Sequence, residues 1–402
     1  VIIIQSEPTL ITKLSVDKAR VGNLLGTTQG IAGALSFVLY PFLGKLTDSI
    51  GRKPGLLLAP LSDAITGALV TMNPNSLFLV LLNRVLRMFT LSFSNTVMNG
   101  TALSDFLSGS SLAINFSRLK AATGLAIVVA PQFETLILKI FKSPRYAYAA
   151  FTAAAVFQSI FHFLITPETL EVAKRVSLDS VLRLQNLNPL KFMKLYTHGS
   201  VNLRKLATIY GLQMFGEGKN TSDVNYTWMT EKLKWDLPAR NYQVSLYGVE
   251  GICSGMFVAP RLIRMYSGRT FTTVANVAVG LSGLVQCCMQ NGSGFLLATL
   301  MLLPGINGVC GTAINALASD LASADGFGKG EFAGIMGNFR SMAGIVSPVL
   351  LGRYVSWLKV KGLQKYMFTV YLLISIFTSL IPELLHQNTN YAQIRERISD
   401  AS

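Results

Sequence analysis

"GKLTDSIGRKP", Gly44 to Pro54, lies between two apolar runs, "IAGALSFVLYPFL" before it and "GLLLAP" after it. Its eleven residues hold Lys45, Asp48, Arg52, Lys53 and two glycines. A soluble protein could carry such a stretch as a surface loop. The composition of the chain argues against that. Only 14% of its residues are charged and 50% are hydrophobic, whereas a soluble domain is about 25% charged. A run of about 20 apolar residues is long enough to cross a bilayer. The stretch therefore reads as a tight polar reversal between two membrane spans.

Working outward, apolar runs predict eleven complete spans, at about 20–43, 54–72, 76–104, 117–141, 145–166, 203–218, 239–262, 268–290, 293–318, 331–357 and 364–385. "VIII" at residues 1–4 reads as the stub of a truncated first helix, which would make twelve. The longest polar connection, 167–202, falls at the midpoint and carries Lys174, Arg175, Arg183, Lys191 and Lys194. The expected organisation is an N-terminal helical bundle (1–166), a cytoplasmic linker (167–202), a C-terminal bundle (203–385) and a cytoplasmic tail (386–402). Placing 44–54 in the cytosol leaves a small excess of Lys and Arg on that side, the direction the positive-inside rule requires.

The two bundles carry an internal repeat. Gly51-Arg52 recurs as Gly268-Arg269, and Pro131 recurs as Pro348, both 217 positions on. "PETL" at 167–170 recurs as "PELL" at 382–385, 215 positions on. Three landmarks in near-register predict two six-helix halves related by a parallel repeat, a known transporter plan.

Other classes find little support. The net charge is +15, but the basic residues cluster between apolar segments, where anionic headgroups lie. No nucleic-acid-reading motif appears, so no nucleic-acid partner is expected. Cys253, Cys287, Cys288 and Cys310 sit in apolar segments, and with His162, His198 and His386 they show no metal-ligand spacing. No P-loop and no Ser/His/Asp set is present. The expectation is a protein that is not an enzyme and has no cofactor or metal.

The quoted stretch resembles the G-x-L-(A/S)-D-x-x-G-R-(R/K) loop between helices 2 and 3 of the major facilitator superfamily. "PETL" after the sixth helix and "ALSD", ending in Asp105, resemble the same family. Within it, "TQGIAGALSFVLYPFLGKLTDSIGRKP" and "NFRSMAGIVSPVLLG" are most similar to the tetracycline-resistance-like, drug:proton antiporter branch and its hippocampus-abundant-transcript-like relatives. The resemblance implies an all-α polytopic fold of two pseudo-symmetric six-helix bundles, in which a small solute is moved by alternating access. In that family Asp48 would hold a neighbouring helix N-terminus and a basic partner as a conformational latch with Gly44, Gly51, Arg52 and Lys53. Gly44 and Gly51 permit close approach and φ > 0, and Arg52 and Lys53 can pair with Asp48 or with headgroups. A solvated loop without a switching role is the alternative. The position matching Asp48 in the second half is Met265.

Charges at membrane depth are costly and default to functional candidates: Asp63, Arg84, Arg87, Glu134, Glu250 and Arg340, with Glu217 at a span end. Tyr210, Gln213 and Glu217 are spaced for one helical face, as are Tyr247, Glu250 and Ser254. Glu217 is the first candidate for proton or substrate coupling and Glu250 the second. An interfacial carboxylate beside Lys219, or a structural hydrogen bond, would explain each as well. Ser92, Asn95 and Asn99 form a polar stripe that suits either a solute or helix packing. "NRVLRMFT" resembles the family's R-x-x-Q-G motif, with Arg84 matched but Arg87 in place of Gln. "TGLAIVVAPQFET" keeps the Pro131 of the antiporter motif, with Ala130, Glu134 and Thr135 in place of glycines. The reading is thus a secondary active transporter of a small organic solute in a lipid bilayer, with protons as coupling ion. A passive facilitator, or a non-transporting membrane subunit that retains the fold, is the competing class.

Overall fold

The computed structural model describes residues 3, 6–15, 21–181, 193–217, 229, 233–235, 237–288, 297, 299–363, 366 and 369–401. Among them the chain is helical, with no strand. A backbone in hydrocarbon must satisfy its hydrogen bonds within itself, and helices do so. The elements used below are α1 (Ser6–Leu14), α2 (Val21–Ile50), α3 (Lys53–Met72), α4 (Leu77–Ser104), α5 (Gly109–Phe141), α6 (Pro144–Leu164) and α7 (Val201–Phe215). They continue with α8 (Leu237–Cys253), α9 (Ala259–Met265), α10 (Gly268–Cys288), α11 (Thr312–Ala324), α12 (Lys329–Val360), α13 (Thr369–Gln387) and the tail helix α14 (Tyr391–Ala401). Helix starts follow local chemistry: Ser76 and Ser200 accept the Leu79 and Leu203 N–H groups as N-caps, and prolines occupy the first turns of α3 and α6, where no N–H is missed.

Six of the described helical stretches are long and apolar enough to cross a membrane: Thr27–Ile50, Lys53–Met72, Leu77–Ser104, Gly109–Phe141, Pro144–Leu164 and Thr369–Gln387. Several expected boundaries move. Of the stub read at 1–4 only Ile3 is among the described residues; after it a helix runs Ser6–Leu14, which polar residues such as Glu7 and Lys13 hide in the sequence. The span expected at 203–218 ends at Phe215, where Gly216 is the C-cap. The span expected at 293–318 begins outside the described residues. Its described part is a set of turns and a 3₁₀ stretch, Ile306–Gly311, before α11. "PGINGVCG" is the cause, since Pro304 and three glycines favour breaks over a continuous helix. Arg183 and Lys191 of the linker lie outside the described residues.

The chain forms two compact units. Unit 1 comprises Val1–Phe106, Val129–Phe192 and Gly328–Ser341, and unit 2 comprises Leu107–Val128, Met193–Phe327 and Met342–Ser402. Unit 1 is built on α3 against α4 and α6. Tyr40, Leu56, Phe89, Phe93, Val97 and Met98 fill one of its cores. In unit 2, α10 packs on α13, and α7 on α11 and α13.

Candidate functional site

The quoted stretch is mostly helix, contrary to the loop expected. Residues 44–50 complete α2, and only Gly51 and Arg52 turn before α3. The two glycines have separate jobs. Gly51 has φ +103°, and a Cβ there would stand 2.2 Å from Glu168 Oε2. Gly44 is needed for close approach alone: a Cβ would stand 2.3 Å from the Gly330 carbonyl oxygen. Gly330 and Gly334 in turn press on the Gly44 and Tyr40 carbonyls, with Cβ positions 2.4 and 2.6 Å away. This is a small-residue helix crossing. Gly44→Ala is expected to destabilise it by about 1–3 kcal/mol, because all three atoms met are backbone. Thermal unfolding in detergent reads this, and an unchanged midpoint would refute the close approach.

Asp48 and Arg52 are both buried, Arg52 with 1% exposure. The Arg52 guanidinium donates to Asp105 twice, Nε to Oδ2 at 3.0 Å and Nη2 to Oδ1 at 3.3 Å, and reaches Asp48 Oδ1 at 2.8 Å. Asp48 also accepts the N–H groups of Gly330 (2.9 Å) and Glu331 (2.8 Å). It thereby caps α12, where a carboxylate meets orphan donors and the positive end of the helix dipole. The Asp48 carbonyl accepts the Val176 N–H at 3.0 Å. Lys53 does not pair with Asp48; its ammonium lies 5.5 Å from the Phe163 ring centroid.

The "PETL" segment closes the same cluster. Glu168 accepts the Arg52 N–H (2.8 Å) and the Lys53 N–H (3.2 Å), capping α3, and Thr169 donates to Asp105 at 2.8 Å. Burial opposes ionisation of Glu168, but the N–H groups of Arg52, Leu170 and Lys53, with the Arg175 charge, hold its carboxyl below the usual range. A depressed folded value contributes stability above the unfolded pKa and loses it as pH falls through the folded one. Glu168→Gln is therefore expected to cost about 1 kcal/mol at neutral pH and to converge on wild type only as pH falls through the depressed pKa of the folded carboxyl. Melting curves across pH 3–7 test this: a constant difference over that range would show that the carboxylate charge is not what caps α3.

Deeper in unit 1, charges expected singly are gathered. Glu7 of α1 takes both Arg84 and Arg87 of α4 as ion-pair partners. Arg84 Nε also donates to Thr28 Oγ1 at 3.0 Å. Glu134, fully buried, accepts the Ser6 N–H at 2.6 Å at the start of α1. Asp63 is buried within electrostatic reach of Arg87, and its Oδ1 has no hydrogen-bond partner among the described residues. The buried Tyr148 hydroxyl, also without a partner there, lies within reach of Glu7, Arg84, Arg87 and Glu134. Arg87, read from sequence as a lost glutamine, is the second arm of a clamp on Glu7. Glu7 itself was missed because it precedes every span that was read.

The stripe at Ser92, Asn95 and Asn99 is interrupted. A π-helical turn over Phe93–Met98 adds a residue to the turn, so the α-helical register does not carry through. Ser92 and Asn99 are half-buried and Asn95 is exposed. Arg340 lies in the part of α12 that belongs to unit 1.

In unit 2 the expected face of Tyr210, Gln213 and Glu217 loses its third member, since Glu217 follows the end of α7. Tyr210 and Gln213 are buried together beside Gly311, where a Cβ would stand 2.7 Å from the tyrosine ring and 3.2 Å from the amide oxygen. Gln213 Nε2 donates to Asn276 Oδ1 (2.8 Å), whose amide donates to Glu383 Oε2 (2.8 Å). That chain ties α7 to α10 and α13. Glu217, also buried, lies 3.9 Å from Lys120. Glu250 is 3% exposed, and neither carboxylate oxygen has a hydrogen-bond partner among the described residues. Ser254 Oγ is likewise unpartnered there. The packing of α5 on α8 and on the π-helical turn Ser254–Val258 that follows it does not need the missing motif glycines. Cβ atoms on Gly124 and Gly255 would stand 2.7 Å from the Gly248 carbonyl and 2.2 Å from the Ser117 carbonyl.

Comparison with known proteins gives the same fold. The tetracycline resistance protein, class D, of Salmonella ordonez is 22% identical over 83% of this chain and 80% of its own length. The human hippocampus abundant transcript 1 protein is 21% identical over 81% of this chain and 64% of its own length. The crystal structure of the human organic anion transporter MFSD10 (TETRAN) superposes with a TM-score of 0.71 at 19% identity, covering 95% of this chain and 88% of that one. The Major Facilitator Superfamily profile matches residues 2–348, the Asp48 cluster included, and this multi-pass membrane protein belongs to that superfamily of transporters.

Proposed function

We propose that the chain is a secondary active transporter that moves a small organic solute by alternating access and couples the movement to protons. The buried cluster of Glu7, Asp63, Glu134, Arg84 and Arg87 is the observation that carries this reading. Three carboxyl groups share a low-dielectric site with two guanidiniums. Asp63 among them has a carboxyl oxygen without a hydrogen-bond partner among the described residues, and a buried charge without a partner is costly. One exchangeable proton balances it. The Asp48–Arg52–Asp105 cluster supplies the second requirement, a lock that can open. Asp48 comes from the first half of the sequence and caps a helix from the second, so releasing α12 breaks a few defined hydrogen bonds and leaves both helices whole. The six-plus-six division at 166 and 203 belongs to the same reading.

Glu250 is the better coupling candidate of the two in unit 2, because Glu217 has Lys120 beside it. Tyr210 and Gln213 are proposed solute contacts in unit 2. The test uses full-length protein in proteoliposomes with an imposed pH gradient and a panel that includes tetracycline and organic anions, the compounds named for the similar proteins. Accumulation that collapses with the gradient is expected. Equal equilibration with and without a gradient would make the protein a facilitator, and no movement of any solute would favour the non-transporting reading. Glu250→Gln is expected to lower gradient-driven accumulation at least tenfold; unchanged accumulation would remove Glu250 from the coupling path.

A further inference from the structure

Unit 2 contains a cavity of about 460 Å³ under the tail helix α14, walled by the first turns of α5 and α10 and by α11. This volume lies within the range of small-molecule sites, about 300–1,000 Å³. Arg269 and Arg395 both line it, and neither makes an ion pair among the described residues. Arg269 lies instead over the Tyr391 ring, 5.0 Å from its centroid. The acidic group on the wall, Asp320, already accepts the Gly109 N–H at 2.8 Å. Three apolar side chains, Ile314, Leu317 and Ile398, line it as well. The cavity thus joins two arginines in need of an anion to a greasy surface.

The tail helix that covers it is held in place. Arg397 pairs with Asp325 at 2.7 Å, Asn202 donates to Gln393 at 3.1 Å, and the Tyr391 hydroxyl meets His386. The cavity is therefore a built part of unit 2. It adjoins the end of α13, a membrane-crossing candidate that stops at Gln387, four residues before α14 begins. That places it at headgroup depth.

We propose that this cavity binds a phosphate ester, with Arg269 and Arg395 holding the anionic oxygens and the Ile314–Leu317–Ile398 wall taking the attached carbon chain. Guanidinium forks match phosphate geometry. The phosphate can come from an anionic phospholipid or from a soluble phosphate ester. The site is separate from the clusters assigned above to coupling and latching.

The test uses full-length protein in dodecyl maltoside with three probes: phosphatidylglycerol, glycerol 3-phosphate and diacylglycerol without phosphate. Thermal unfolding and native mass spectrometry report binding. Saturable binding of phosphatidylglycerol alone identifies a lipid, and saturable binding of glycerol 3-phosphate identifies a soluble ester. Arg395→Gln, on an exposed helix face, is expected to weaken either one at least tenfold, and Arg395→Lys to restore part of it. Absence of saturable binding to both phosphates, equal binding of diacylglycerol, or full binding by Arg395→Gln and Arg269→Gln would overturn the proposal.

Discussion

Arg52→Ala is expected to destabilise the protein by about 3–5 kcal/mol, because it removes the cation between two buried carboxylates. Arg52 makes the bidentate contact to Asp105 and the contact to Asp48, and its side chain has almost no solvent around it. Without it, Asp48 keeps only the Gly330 and Glu331 N–H groups, and Asp105 keeps the Thr169 hydroxyl. Arg52→Lys should recover only part of the loss, since an ammonium cannot reproduce the fork. Asp48→Asn should act differently. An amide can still accept from α12 but carries no charge to hold the helix dipole or Arg52, so it should shift the balance of access states and slow turnover while the fold persists. Melting temperature and transport rate separate the two variants. An Arg52→Ala protein that melts with the wild type would show that the cluster contributes nothing to stability.

The motif at 44–54 made this cluster legible as residue types but not as geometry. Gly51, Asp48 and Arg52 could be named from the sequence, and "PETL" and "ALSD" could be flagged. That Glu168 caps α3 and Asp105 forks Arg52 needed three distant segments brought together, which spacing cannot show. The stretch was read as a loop because charge and glycine signal loops in soluble proteins. Here they serve a helix crossing and a buried ion cluster. The opposite slip lengthens α7 at its end: a spacing of three and seven puts Glu217 on a helical face, while Gly216 ends the helix one residue earlier. Periodicity reports which face a residue would occupy, and a cap decides whether the helix reaches it. Glu250 was legible as a lone carboxylate in an apolar run, and its lack of partners among the described residues is information only coordinates carry.

Glu7→Gln is expected to have the largest effect on coupling and a comparable one on stability. Glu7 is 2% exposed and is the carboxylate that both Arg84 and Arg87 reach. Arg84 and Arg87 are three residues apart on α4 and share a face, so one carboxylate can take both. The glutamine side chain can accept a hydrogen bond but cannot neutralise either guanidinium, and leaving buried charges uncompensated costs about 3–5 kcal/mol. Removing one cation as well should restore part of this: Glu7→Gln with Arg87→Gln is expected to be more stable than the sum of the single changes predicts, by about 0.5–3 kcal/mol. The transport readout tests the proton reading separately from folding. If Glu7 itself carries the coupling proton, the double variant should fold, exchange solute across the membrane and fail to accumulate it against a pH gradient, since exchange needs no net proton movement. A double variant that accumulates solute as the wild type does would leave Glu7 a structural partner of α4 and move the coupling role to Glu250.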